Sequence, residues 1–127
     1  MSIPKPKKPT RKAIVKQLDT AFSKYIRARD RACVNCGTLD NPTCGHVFSR
    51  AAYSTRWDED NAFKQCVSCN LRHEFDSYPL MEHARKALGQ ERYDELHRRY
   101  ATTKKFSNTD LLELTEHYQG LLDDLVV

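Results

Sequence analysis

Cys33-Val34-Asn35-Cys36 and Cys66-Val67-Ser68-Cys69-Asn70 decide how this chain folds. Each stretch holds a C-x2-C pair, and 29 residues separate the two pairs. The two-residue spacer lets both sulfurs of a pair turn toward a common point. Four thiolates then complete the tetrahedron that zinc accepts, at about 2.3 Å each. Gly37 follows the first pair and eases the tight turn of a knuckle. Ordinary reduced cysteines and an iron–sulfur cluster are the competing readings. A closed four-sulfur site leaves no open coordination position, so its metal supports the fold and does no chemistry. The gap exceeds that of compact zinc ribbons, which places an inserted element between the knuckles. The fifth cysteine, Cys44, reads as a small buried residue near the strand position His46, or as an adventitious ligand.

The bulk of the chain agrees with a stapled domain. Its 127 residues suffice for one domain. Hydrophobic content is 39% and charged content 30%, so the core is small and a non-hydrophobic staple is welcome. The net charge of +4 is unevenly spread: residues 1–31 hold ten Lys or Arg and two Asp. A basic arm on a slightly acidic body suits a polyanion such as nucleic acid, the plain alternative being a solubilising tail. No apolar run approaches the roughly 20 residues of a membrane span. The N-terminus lacks the apolar segment of a signal peptide, so a cytoplasmic location is expected. In that reducing compartment paired cysteines read as metal ligands.

Residues 1–9 hold three prolines and three lysines and read as a disordered basic leader, followed by a single domain over 10–127. Thr10 caps a helix running to about Arg31, with Ile14, Leu18, Phe22 and either Tyr25 or Ile26 as its buried stripe. Residues 32–57 read as irregular with short strands, the best being Cys44 to Phe48. A polar stretch, Asn70 to Phe75, opens a short helix. Pro79 fits the first turn of a helix that ends at Gly89, and Gln90 to Tyr100 forms another. Ser107 or Asn108 caps a last helix with Leu111, Leu114, Tyr118, Leu121 or Leu122, and Leu125 along one face. The C-terminal third reads as a helical hairpin whose stripe packs internally or against a second copy.

Between the knuckles lie Gly45-His46-Val47, Arg50, Arg56, Trp57 and Asn61, and the second pair runs directly into Asn70. This order resembles the zinc-containing HNH, or ββα-metal, endonucleases, and the C-x-x-C-N arrangement is similar to that of phage endonuclease VII. The match is closer to the NinG family of phage recombination proteins, carried by ARDRACVNCGTL, GHVFSRAA, DEDNAFKQCVSCN and LGQERYDEL. It spans roughly residues 20–100. The resemblance implies an α+β fold: a small ββα-metal (HNH-like) core with a four-cysteine zinc knuckle site, flanked by an N-terminal helix and a C-terminal helical hairpin.

It also implies roles. His46 becomes the general base, Asn61 fixes and polarises its imidazole through the side-chain carbonyl, and Arg50 holds the scissile phosphate. Asn70 binds a catalytic Mg²⁺ or Mn²⁺ through its amide oxygen. Many HNH enzymes place an Asp or His ligand directly before the catalytic histidine, where this chain has Gly45. Another side chain reaches in, or His46 itself ligates, or the metal binds weakly. His73 and Glu74, three and four residues after Asn70, are the candidates on the helix, with Asp40 and Asp76 more remote.

The chemistry suits phosphodiester hydrolysis, in which a near-neutral histidine takes a proton from water and a hard cation relieves charge on the leaving 3′ oxygen. The function expected is a metal-dependent DNA endonuclease acting on branched intermediates such as Holliday junctions, in the host cytoplasm if phage-encoded, with a homodimer as the candidate assembly. The alternatives are a zinc-stabilised DNA-binding module without catalysis and an HNH nuclease without structure specificity. Each residue has a plainer use as well. His46 can be a hydrogen-bond donor near zinc, Asn61 and Asn70 helix caps, Arg50 and Arg56 solvated charge, His73 and Glu74 exposed helix residues. Trp57 reads as core, or as a platform for an unpaired base.

Overall fold

The computed structural model describes residues 8–125. The expected leader therefore lies outside the described residues except for its last two positions. The elements are α1 (Arg11–Arg29), β1 (Pro42–His46), α2 (Tyr53–Arg56), a 3-10 turn (Glu59–Asn61), β2 (Ala62–Cys66), α3 (Val67–His73), α4 (Tyr78–Leu88), α5 (Gln90–Ala101) and α6 (Asn108–Leu125).

Thr10 caps α1 as its sequence suggests, its hydroxyl accepting from the Ala13 N–H at 3.1 Å. Ile14, Leu18, Ala21, Phe22, Tyr25 and Ile26 are all buried, so both candidates for the last stripe position contribute. The helix ends at Arg29, two residues earlier than expected, because Asp30 turns extended. Arg29 reaches back to the carbonyls of Glu59 and Ala62 at 2.9 and 2.7 Å and ties the helix end to β2.

Strands β1 and β2 pair antiparallel, with Pro42 opposite Cys66 and His46 opposite Ala62. The strand holding His46 starts and stops two residues earlier than Cys44 to Phe48. The second strand runs into α3, whose N-cap is Cys66. That helix begins at Val67, three residues before the expected Asn70, because the Cys66 sulfur accepts the Cys69 N–H at 3.4 Å and nucleates the turn. Asn70 is thus a helix-interior residue and not a cap.

Two apolar clusters support these pieces. The larger joins the α1 stripe to Trp57, Ala62, Leu111 and Tyr118. The smaller holds Val47, Phe63, Leu80, Ala84 and Tyr93 beneath the sheet and the α4–α5 pair. The C-terminal hairpin needs a correction. Helices α4 and α5 pack on each other, with Gly89 between them at a φ of 82°. Helix α6 leaves that pair and makes the most extensive helix contact of the fold, against α1. Its Leu111, Thr115 and Tyr118 are buried there, and Ser107 caps it through the Asp110 N–H at 3.0 Å. The α1 stripe is wide enough to cover α6 as well as the sheet, so the leucine face is occupied within the chain. No helix among the described residues is long and apolar enough to cross a membrane.

Candidate functional site

The sulfurs of Cys33, Cys36, Cys66 and Cys69 lie within 4.8 Å of one another. Cys36 and Cys66 approach to 3.7 Å, close to the ~3.8 Å edge of a tetrahedron with 2.3 Å metal–sulfur bonds. The first knuckle closes by a hydrogen bond from the Gly37 N–H to the Cys33 carbonyl at 2.8 Å, with Gly37 at a φ of 79°. Val34 N–H bonds Lys64 O at 2.9 Å and Val67 N–H bonds Asn41 O at 3.0 Å, so the pairs are brought face to face by backbone. Burial pushes the Cys33 thiol up, but N–H groups of Cys66, Cys36 and Asn35 outweigh it, and it falls to about 6. Burial and the three neighbouring sulfurs push Cys69 up to about 12. Thiolates crowded in this way repel one another unless a cation sits between them, and the donor set fits zinc. Cys44 stands outside the cluster, and burial raises its thiol to about 12.

One groove of about 1060 Å³ gathers most of the other candidates. His46 comes to it from β1, Arg50 from the following loop, and Asn70, His73 and Glu74 from α3 and its end. Lys16 and Arg27 of α1 add positive charge to its wall. Asp40 and Asp76, the remote candidates, are not among its lining residues.

The His46 ring packs on Phe22, with centroids 5.9 Å apart. Its Nε2 lies 2.9 Å from the carbonyl oxygen of Arg56, so Nε2 carries the proton and donates. Nδ1 is then the lone-pair nitrogen, and it is buried without a partner among the described residues. Burial lowers the imidazole to about 4, against a pull upward from the Arg56 carbonyl. The ring is neutral throughout the physiological range.

Asn61 does not hold this ring, which corrects the role expected for it. Its Oδ1 accepts from the Phe48 N–H at 2.8 Å, and its Nδ2 donates to Phe48 O and Thr55 O at 3.2 and 3.0 Å. The buried amide pins the loop after β1 to the turn before β2. It acts by shaping the segment that carries Arg50 and the Arg56 carbonyl.

Arg50 is 56% exposed, and its Nη2 touches Asp19 Oδ2 at 3.2 Å. Arg56 is not surface charge: its fork clamps Asp19 at 3.0 and 2.6 Å. Trp57 is core, 4% exposed, and donates through Nε1 to Asp19 at 2.9 Å. Asn70 donates Nδ2 to Thr43 Oγ1 at 3.0 Å, which turns its carboxamide oxygen away from Thr43. His73 Nδ1 is a second buried nitrogen without a partner among the described residues, while Glu74 is exposed.

The glycine before His46 is explained by packing. A Cβ at Gly45 would lie 2.0 Å from Gln65 Oε1 and 2.7 Å from its Cδ. Gln65 is 1% exposed and donates to Asn35 Oδ1 at 2.8 Å, so it is not free to move aside. An acidic side chain at this position would have to displace the Gln65 carboxamide. Asp19 and Gln65 are the site residues that sequence reasoning missed. Neither has a motif; Asp19 looks like any polar residue of an amphipathic helix, and its three donors come from 31 or more positions away.

A two-stranded sheet running into a short helix, stapled by four cysteines beside a cationic groove, defines a small α+β domain with a metal-binding cysteine cluster. Residues 3–126 match the family model described as the bacteriophage lambda NinG protein, and the chain belongs to the NinG family. Its relatives include the ninG proteins of Escherichia phage 933W, at 34% identity over 119 residues, and Escherichia phage lambda, at 32% over 116. Salmonella phage P22 carries another at 32% over 119. In each case 87% of this chain is covered, against 57%, 56% and 57% of the relative. The chain therefore spans little more than half the length of these proteins. No solved structure matches it.

Proposed function

We propose that this chain is a metal-dependent DNA endonuclease of the HNH type, acting on branched DNA such as Holliday junctions, with zinc in its four-cysteine cluster. The observation that carries the reading is the convergence of His46, Arg50 and Asn70 on one groove with Lys16 and Arg27. They come from the end of β1 and its following loop, from α3 and from α1.

In this reading β1, β2 and α3 form the ββα core. His46 Nδ1, buried in the free protein, must open to the groove when DNA binds; neutral His46 then accepts a proton from water there, and the hydroxide attacks phosphorus. The Arg56 carbonyl keeps the accepting nitrogen on the correct side of the ring and stabilises the imidazolium that forms. Arg50 exchanges its weak contact with Asp19 for the scissile phosphate, whose two oxygens its planar fork matches. Asn70 Oδ1, with His73 and Glu74 on the same helix face, would hold Mg²⁺ or Mn²⁺, which supplies charge at the leaving 3′ oxygen. The partnerless Nδ1 of His73 fits such a donor set. Lys16 and Arg27 attract the backbone without reading sequence.

Purified protein incubated with a four-way junction and Mg²⁺ tests the reading. Cutting by the wild type, with His46→Ala binding but not cutting, supports it. Equal cutting by both overturns the role of His46. Tight binding without cutting by either makes the chain a zinc-stabilised binding module. Equal cutting of linear duplex removes the structure preference.

A further inference from the structure

Asp19, midway along α1, accepts four hydrogen bonds. Arg56 Nε and Trp57 Nε1 reach Oδ1 at 3.0 and 2.9 Å, and Arg56 Nη2 and Arg50 Nη2 reach Oδ2 at 2.6 and 3.2 Å. Two lone pairs on each oxygen are thereby used, and the carboxylate is saturated. All four donors belong to the segment from Arg50 to Trp57. That segment also carries the Arg56 carbonyl, the acceptor for His46 Nε2.

We propose that Asp19 is the positioning residue of the groove, holding the Arg56 peptide so that its carbonyl fixes the His46 imidazole with Nδ1 as the free base. The inference rests on the endonuclease reading for its kinetic consequence only; the geometric part stands on the clamp itself. The four contacts are not equal. Arg56 meets Asp19 as a fork with both side chains largely shielded, at 16% and 26% exposure, which makes a strong, oriented pair. Its guanidinium also lies near the rings of Tyr53 and Trp57, at 5.4 and 5.5 Å. Arg50 is exposed and makes one longer contact, of the kind that contributes little. Arg50 can therefore leave for a phosphate while Arg56 and Trp57 keep the peptide in place. Asp19 lines the groove itself, but its carboxylate is fully used by these donors, and it acts on the His46 ring through the Arg56 carbonyl, as outer-shell partners of a histidine do.

The test uses the full chain loaded with zinc and compares wild type with Asp19→Asn and Arg56→Gln. Nitrogen-15 spectra report the His46 Nε2 proton, and junction cleavage reports kcat and KM. The wild type shows an Nε2 proton protected from exchange with water. In both variants exchange quickens at least about tenfold, and kcat falls roughly 10–100-fold with KM little changed, the range typical of outer-shell losses. A clamp that only stabilises the fold lowers the melting temperature and leaves the Nε2 proton protected; that result overturns the proposal. If Asp19→Asn does not fold, Arg56→Gln decides by the same readouts, because it keeps the peptide carbonyl and removes the fork. If no form cuts DNA, the endonuclease reading fails while the proton measurement still decides the role of Asp19.

Discussion

Gly45 lies so close to the side chain of Gln65 that a Cβ would stand 2.0 Å from Oε1. The glycine makes room for the buried Gln65 carboxamide across the strand pair, and the acidic ligand common in HNH sequences would have to displace it. Gly45→Ala should destabilise the domain by about 1–3 kcal/mol, the usual cost of overpacking. Gly45→Asp should cost more and add no metal affinity. In the Gly45→Ala/Gln65→Ala double variant the loss should be smaller than the sum of the two single losses, which denaturant unfolding of the four proteins would measure. Strict additivity would refute the contact.

Metal analysis of the purified protein should return about one zinc per chain. Cys33→Ser should lose the metal and unfold or aggregate, since a structural zinc site contributes folding energy directly. Cys44→Ala should keep the metal. Zinc content unchanged in Cys33→Ser and lost in Cys44→Ala would reverse the ligand assignment.

Asn61→Ala strands three backbone groups, the N–H and carbonyl of Phe48 and the carbonyl of Thr55. The expected loss is roughly 3 kcal/mol, a fall in Tm on the order of 10 °C. Calorimetry of the variant settles this, and an unchanged Tm would contradict the pinning role.

Burial holds the folded His46 at about 4, below the 6.5 of an unconstrained imidazole. The unfolded chain therefore takes up the proton first. The stability contributed by neutral His46 is complete above pH 6.5 and is lost as pH falls toward 4. The span corresponds to at most about 3 kcal/mol. His46→Gln should flatten the stability profile between these limits relative to wild type, while acid release of zinc affects both proteins alike. Parallel profiles would show that the ring is not buried neutral.

Lys16→Ala/Arg27→Ala should weaken binding to every DNA tested and reduce the salt slope of log K by about 2, one unit for each lost phosphate contact. Fluorescence anisotropy at several salt concentrations provides the slope. An unchanged slope would take the DNA off this wall of the groove.

What the residues alone determined is local. Two C-x2-C pairs specify four ligands because coordination number and tetrahedral geometry belong to the metal and the thiolates, whatever the fold around them. The α1 stripe, the Thr10 and Ser107 caps and the stop at Gly89 follow from helical period and from backbone groups that need partners within a few residues. The tertiary structure decided the rest, for a common reason: the partners are distant in sequence and carry no signature. A backbone carbonyl has no letter, so the His46–Arg56 contact is illegible in the sequence, and the nearby Asn61 stands as the expected partner in its place. An apolar helix face does not name what it covers, so α6 reads as half of a hairpin and packs on α1 instead. Asp19 reads as a solvated helix residue until the fold delivers Arg50, Arg56 and Trp57 to it. The four-cysteine cluster is written in the spacing of its ligands, whereas the groove beside it exists only once separate segments are folded together.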